Sequence, residues 1–295
     1  MAVSAAPLSR RARLAGRGSL LVRVARTPAG LFGLVVVTGL LVLVAFAPLI
    51  APYDPAHQDI VNRLHGPSAN HLLGTDQLGR DLLSRLVFGV RIELRVAVPA
   101  TIGALALGLL LGLAAGYLGG RADNALIVVM DAIQAFPAVI LALTILALLG
   151  PSLRNVAIVL AVAFAPAYAR VTRALVLAVK QNPYIEAERS LGASTSRIIL
   201  VHIVPNILPP LLTLVAMNLP SAIGAEAGLS FLGLGVQPPT PSWGVILADG
   251  FEYVRDAPWA VVWTGLTLMA TTLGFTFLGE ALRDQLDPRL AGALH

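Results

Sequence analysis

The chain has 295 residues, of which 57% are hydrophobic and only 13% charged, about half the charged fraction of an ordinary soluble domain. With a mean hydropathy of +0.80 it reads as an all-α polytopic membrane protein. Its net charge of +5 sits between apolar segments rather than over a soluble surface, which excludes a nucleic-acid-binding domain, and the absence of cysteine excludes disulfide and thiolate chemistry.

Met1 to Arg26 carries six arginines (Arg10, Arg11, Arg13, Arg17, Arg23, Arg26) and no acidic residue, the composition of a tail kept on the cytoplasmic side. Leu31 to Ala51 then runs 21 residues without a charge, enough to cross about 30 Å of hydrocarbon. A cleaved signal peptide would have a shorter apolar core, and the only A-x-A-like site, Ala45-Phe46-Ala47, is followed by Pro48. This is read as an uncleaved first span. Pro52 to Glu93 is polar and includes His57, His65 and His71, whose spacing is not that of a metal site. Within it, Thr75 or Asp76 is expected to cap an amphipathic helix on the outer leaflet, with Leu82, Leu83, Leu86, Val87 and Val90 on one face and Arg80, Asp81, Ser84, Arg85 and Arg91 mostly on the other.

A second span, Val96 to Leu118, repeats Gly103, Gly108, Gly112 and Gly116, a spacing that lets neighbouring helices approach closely. After a short turn the third span, Ala125 to Leu149, contains Asp131, Gln134 and Pro137. An ionisable residue there marks either a pathway or gate, or a structural pair with a nearby arginine. A fourth span begins at Val156 and extends into the cytoplasm with Arg170, Arg173 and Lys180. The fifth, Ile198 to Ala225, carries Pro205, Pro209, Pro210 and Pro220, which are expected to prevent a straight, fully bonded helix. Asn218 and Ser221 give it one polar face, fit either for a pathway wall or for interhelical hydrogen bonds. Glu226 to Pro258 reads as an irregular outer loop rich in Gly and Pro. The sixth span, Trp259 to Leu278, opens with Trp259 and Trp263 at an interface and puts Thr264, Thr267 and Thr271 on one face. Six spans with both ends inside leave cytoplasmic segments at +8 and outer segments at −2, the bias that sets this orientation.

Between the fourth and fifth spans lies Asn182 to Asn206, NPYIEAERSLGASTSRIILVHIVPN. Asn182 is a candidate N-cap, Pro183 fits the first helical position, and Gly192 fits a left-handed stop after a short helix from Tyr184 to Leu191. No phosphate loop, no H-E-x-x-H and no complete G-x-S-x-G occurs, since Gly228-Leu229-Ser230-Phe231 lacks the second glycine. The chain therefore reads as a mover of solute, not an enzyme, and any energy from nucleotide comes from a partner.

Glu186-Ala187-Glu188, Gly192 and Val204-Pro205 together resemble the EAA loop of ABC importer permeases. Two departures stand out: Glu188 for the third-position alanine, and His202 with Val204 for the hydrophobic pair before Pro205. LGTDQLGRDLLSRLVFGVR (Leu73 to Arg91), GYLGGRADN (Gly116 to Asn124), LSFLGLGVQPPTPSWG (Leu229 to Gly244) and LRDQLDPRL (Leu282 to Leu290) are similar to the dipeptide and oligopeptide permease "C" subunit. The resemblance implies a type I ABC importer permease of the cell membrane: a five-helix core at 92–285, preceded by a tail (1–26) and a first helix with its outer segment (27–91), and followed by a tail at 286–295. It implies a homologous second permease, two ABC ATPase subunits that carry the ATP and Mg, an extracytoplasmic solute-binding protein, and membrane lipid around the bundle. Peptide is the expected substrate, with nickel, glutathione or haem as alternatives. Tyr184, Glu186, Ala187, Glu188, Leu191 and Gly192 would couple to an ATPase, while Asp131, Gln134, Asn218, Ser221 and Thr267 are candidates for pathway or gate. The alternative is an ion- or proton-coupled secondary transporter using Asp131.

Overall fold

The computed structural model describes residues 20–286. The tail arginines Arg10 to Arg17 and the last part of the 286–295 tail lie outside the described residues. A short helix α1 (Leu20–Ala25) leads into α2 (Pro28–Ile50), started by Thr27, whose Oγ1 accepts from the Gly30 amide at 3.1 Å, with Pro28 at the first turn. Helix α3 (Leu82–Leu118) has 37 residues. At 1.5 Å per residue that is about 55 Å, well beyond the hydrocarbon thickness.

Its start corrects the expected surface helix. The cap is Asp81, which accepts from the Ser84 amide at 2.8 Å and the Ser84 hydroxyl at 2.7 Å, and the helix runs without interruption through the 91/92 boundary into the second span. The face taken as solvated is buried: Arg80, Asp81, Ser84 and Arg85 are all enclosed. Arg80 Nε donates to Asp76 at 2.6 Å and its Nη2 to Asp249 at 3.0 Å, while Arg85 pairs with the same two carboxylates. Two cations and two anions cancel, so the cluster can be buried without net charge.

The glycines of α3 do what their spacing predicts. They face α6 (Leu153–Lys180) so closely that a Cβ on Gly112 would lie 2.5 Å from Ala169 O and from Thr172 Cβ, and one on Gly116 2.9 Å from Val176. The third span is two helices, α4 (Gly120–Gln134) and α5 (Ala138–Leu149), bent by 85° across Pro137. Among the described residues five single helices are long and apolar enough to cross a membrane, and this bent pair, counted as one span, brings the number to six.

A surface helix α7 (Pro183–Ser190) precedes α8, which runs from Thr195 to Phe231 and contains a π-helical turn, Ile198–Ile203, just ahead of Pro205. The prolines therefore do not break this span. The wider π turn takes up the irregularity at its base. The outer loop is also shorter than expected, because α8 carries Glu226 as a buried helical residue and α9 (Trp243–Phe251) packs back against the bundle. Ser242 caps α9, accepting from the Val245 amide at 3.2 Å. Helix α10 (Trp259–Leu286) is the last of the described elements, with Thr264 and Thr271 buried and Trp259 Nε1 donating to Thr75 O at 2.9 Å. Three apolar clusters hold the bundle: one around Leu82, Ile223 and Trp243, one around Val96, Leu146 and Leu160, and one around Ile185, Ile203 and Leu211.

Candidate functional site: a surface helix tied to three spans

Helix α7 begins as its sequence predicts, with extended backbone at Asn182 and Pro183 in the first turn. The Asn182 side chain, however, does not cap α7. Its Nδ2 donates backwards to Val179 O at 3.0 Å, closing α6 instead. At the other end the Ala193 amide bonds Glu188 O and the Gly192 amide bonds Arg189 O, each at 3.0 Å, a Schellman closure that needs a left-handed residue. Gly192 supplies it with φ +81°, and the space where a Cβ would point is open. Any side chain at 192 is opposed by backbone conformation, not by a clash.

One side chain anchors the helix. Ile185 is fully buried among Val176, Ile198, Ile203, Ile207 and Leu211, with Leu109, Leu113 and Tyr117 packed against that cluster. Ile185 thus joins α7 to an apolar cluster built from α3, α6 and α8. The sequence reading had not singled out Ile185. Its signal was there, as the only β-branched residue in an eight-residue helix that is otherwise small or polar apart from Tyr184. Polar ties reinforce it: Lys180 Nζ donates to Tyr117 O at 2.7 Å, and Lys180 and Arg189 stand over the Tyr117 ring at 5.3 and 5.9 Å.

The expected coupling residues fall on the open side. Tyr184 is 43% and Leu191 85% exposed, and Glu186, Ala187 and Gly192 are exposed too. Glu188 is only partly so, and it meets the other departure from the EAA pattern. His202 Nε2 lies 3.4 Å from Glu188 Oε1, Arg197 Nε 3.9 Å from Glu188 Oε2, and the Tyr184 and His202 rings are 6.1 Å apart. The two unusual residues form one contact between α7 and the π turn.

The pathway candidates lie on three helices. Asp131 pairs with Arg170 at 2.6 Å, both about half exposed, and Gln134 is exposed near the end of α4. Asn218 is half-buried and Ser221 exposed on α8. Thr267, half-buried on α10, donates to Trp263 O at 2.8 Å. A bidentate pair, Arg173 with Asp123, both contacts at 2.6 Å, was not foreseen and ties α4 to α6.

Comparison with known proteins gives the context of this geometry. Residues 108–292 match the family described as binding-protein-dependent transport system inner membrane component, and residues 21–67 match the N-terminal transmembrane domain of oligopeptide transport permease C. The chain is 41% identical over 258 residues to a dipeptide transport system permease protein of Alkalihalophilus pseudofirmus, covering 88% of this chain and 85% of the relative. It is 44% identical over 254 residues to a di/tripeptide transport system permease protein of Pseudomonas aeruginosa, covering 84% of each. A nickel transport system permease protein of Escherichia coli is 39% identical over 257 residues, covering 85% of this chain and 93% of the relative. Among solved structures, a chain of the inward-facing MetNI methionine ABC transporter superposes with a TM-score of 0.55 at 21% identity, covering 72% of this chain and 98% of that one.

Proposed function

The chain belongs to the family of binding-protein-dependent transport system inner membrane components, the membrane permeases of ABC importers, and from that premise we propose that it is one half of the pathway of an ATP-driven peptide importer. The substrate class is supported by the dipeptide and di/tripeptide permeases among its relatives. A homologous permease supplies the other half, two ATPase subunits carrying ATP and Mg dock from the cytoplasm, and an extracytoplasmic solute-binding protein delivers peptide. Both chain ends are cytoplasmic.

The carrying observation is the division of α7 into two faces. Tyr184, Ala187 and Leu191 offer an apolar patch, with Glu186 and Arg189 to set orientation, while Ile185 roots the helix in a cluster shared by α3, α6 and α8. A push received on the open face is delivered to three spans at once, which is what alternating access requires of a coupling helix. Asp131, already neutralised by Arg170, is less suited to carry a coupling ion, which favours this reading over an ion- or proton-coupled transporter.

The test is Gly192→Asp in the assembled transporter, reconstituted in vesicles with its ATPases and binding protein. The left-handed backbone disfavours the new side chain, and the turn leaving α7 is expected to rearrange. ATP-dependent peptide uptake falls to background while the amount of protein in the membrane is unchanged. Uptake at the original rate would remove α7 from the coupling role.

A further inference from the structure

Glu93 on α3 and Glu226 on α8 are both fully buried. Among the described residues neither forms an ion pair with a cation. Arg80 and Arg85 are committed to Asp76 and Asp249. Arg91 donates to the Val44 and Ala45 carbonyls and stacks on Phe88. The two carboxyl groups are brought to one junction instead: the Trp243 amide that binds Glu93 opens α9, and Gly244 of α9 packs against Ala227 and Ser230, the residue that binds Glu226.

Each has one satisfied oxygen. Glu93 Oε1 accepts from the Trp243 amide at 2.9 Å, and Glu226 Oε1 accepts from the Ser230 hydroxyl at 2.6 Å. The remaining oxygens, Glu93 Oε2 and Glu226 Oε2, are buried with no donor among the described residues. Ionised carboxylates only accept, so two of them brought together repel, and each orphaned oxygen carries its own desolvation cost. A single proton removes both penalties, because it makes one group a donor to the other and leaves one charge shared by the pair.

We propose that Glu93 and Glu226 form a proton-binding site that holds one proton between them and seals the junction of α3, α8 and α9. The site reaches further through its satisfied oxygens. Trp243 is the first residue of α9, and Ser230 also accepts from the Val236 amide at 2.9 Å, which fixes the segment between α8 and α9. The proton thus stands at the point where two spans and the returning helix meet. It is retained rather than transported, since the pair is closed on every side.

The experiment is infrared difference spectroscopy of the assembled transporter in lipid nanodiscs at about pH 8, far above the ordinary glutamate value of about 4.3. A deuterium-sensitive carboxylic-acid C=O band is expected from the wild type, lost in both Glu93→Gln and Glu226→Gln and retained in Glu252→Gln, which alters an exposed glutamate on the same side. Glu226→Asp keeps the carboxyl and is expected to shift the band without removing it. The idea is overturned if the wild type has no such band at that pH, or if the band survives in both glutamine variants. It is equally overturned if sodium, potassium, magnesium or calcium raises the melting temperature of the wild type but not of Glu93→Gln, since a metal cation would then occupy the pair. Should neither glutamine variant assemble, the wild-type spectrum and the Glu226→Asp shift decide alone.

Discussion

At the start of α3, Arg80 and Arg85 are closed over by Asp76 and Asp249, and about two turns further along Glu93 is fully buried, as is Glu226 of α8. At its far end, Arg189 and Lys180 lean on Tyr117, and Glu186, Tyr184 and Leu191 of α7 stand open. Similar residue types thus serve opposite ends. Where every charge is spent internally, the ends of the helices are locked into a fixed shape. Where charges and large apolar groups are left over, the surface stays open in this chain, as the proposed docking of an ATPase requires.

The sharpest way to break the closed end is Arg85→Ala, which leaves the buried Asp76 and the partly exposed Asp249 with one cation fewer. A loss of about 3–5 kcal/mol is expected, read as a drop in melting temperature and in yield of the assembled complex. Ile185→Ala attacks the open end from beneath. It removes the one buried anchor of α7 at a cost of about 2–5 kcal/mol, largely local, so ATP hydrolysis continues while peptide uptake per ATP falls. A melting temperature lowered as much as by Arg85→Ala would show that α7 is part of the closed framework after all.

Leu191→Ala and Tyr184→Ala sharpen the contrast. Both residues are exposed, so stability should change by less than about 0.5 kcal/mol, while affinity for the ATPase drops by about 1–2 kcal/mol, close to tenfold, in a pull-down or binding titration. The smallest effect is assigned to the Glu188 and His202 contact. It is partly exposed and charged on both sides only when His202 is protonated, so a double-mutant cycle with Glu188→Gln and His202→Gln should give a coupling of about 0.2–1 kcal/mol in ATPase affinity. Strict additivity would make the two departures from the EAA pattern independent of each other.

Some of this was legible in one dimension. The glycine ladder of α3 announced a close helix partner, because only a missing Cβ at that spacing allows such an approach. Pro183 and Gly192 bracketed α7 for equally local reasons. The start of α3 misled because an amphipathic pattern says which side chains share a face and not what covers it. Asp249, far along the chain, provided the cover. The prolines of α8 misled in the other direction, since a π turn, which no residue type encodes uniquely, absorbed the irregularity at its base.

Length, hydropathy and backbone chemistry are properties of neighbouring residues, and so the sequence by itself determined the spans, the surface helix, its left-handed exit and the family resemblance. Which charges are buried together was decided only in the folded bundle. The pairing of Glu188 with His202, of Arg85 with Asp249 and of Glu93 with Glu226 depends on distance in space between helices remote or displaced in the chain. The surface helix, first legible as a polar stretch between two spans, therefore gained from the tertiary structure its one missing part: Ile185, the buried root that ties it to the rest of the molecule.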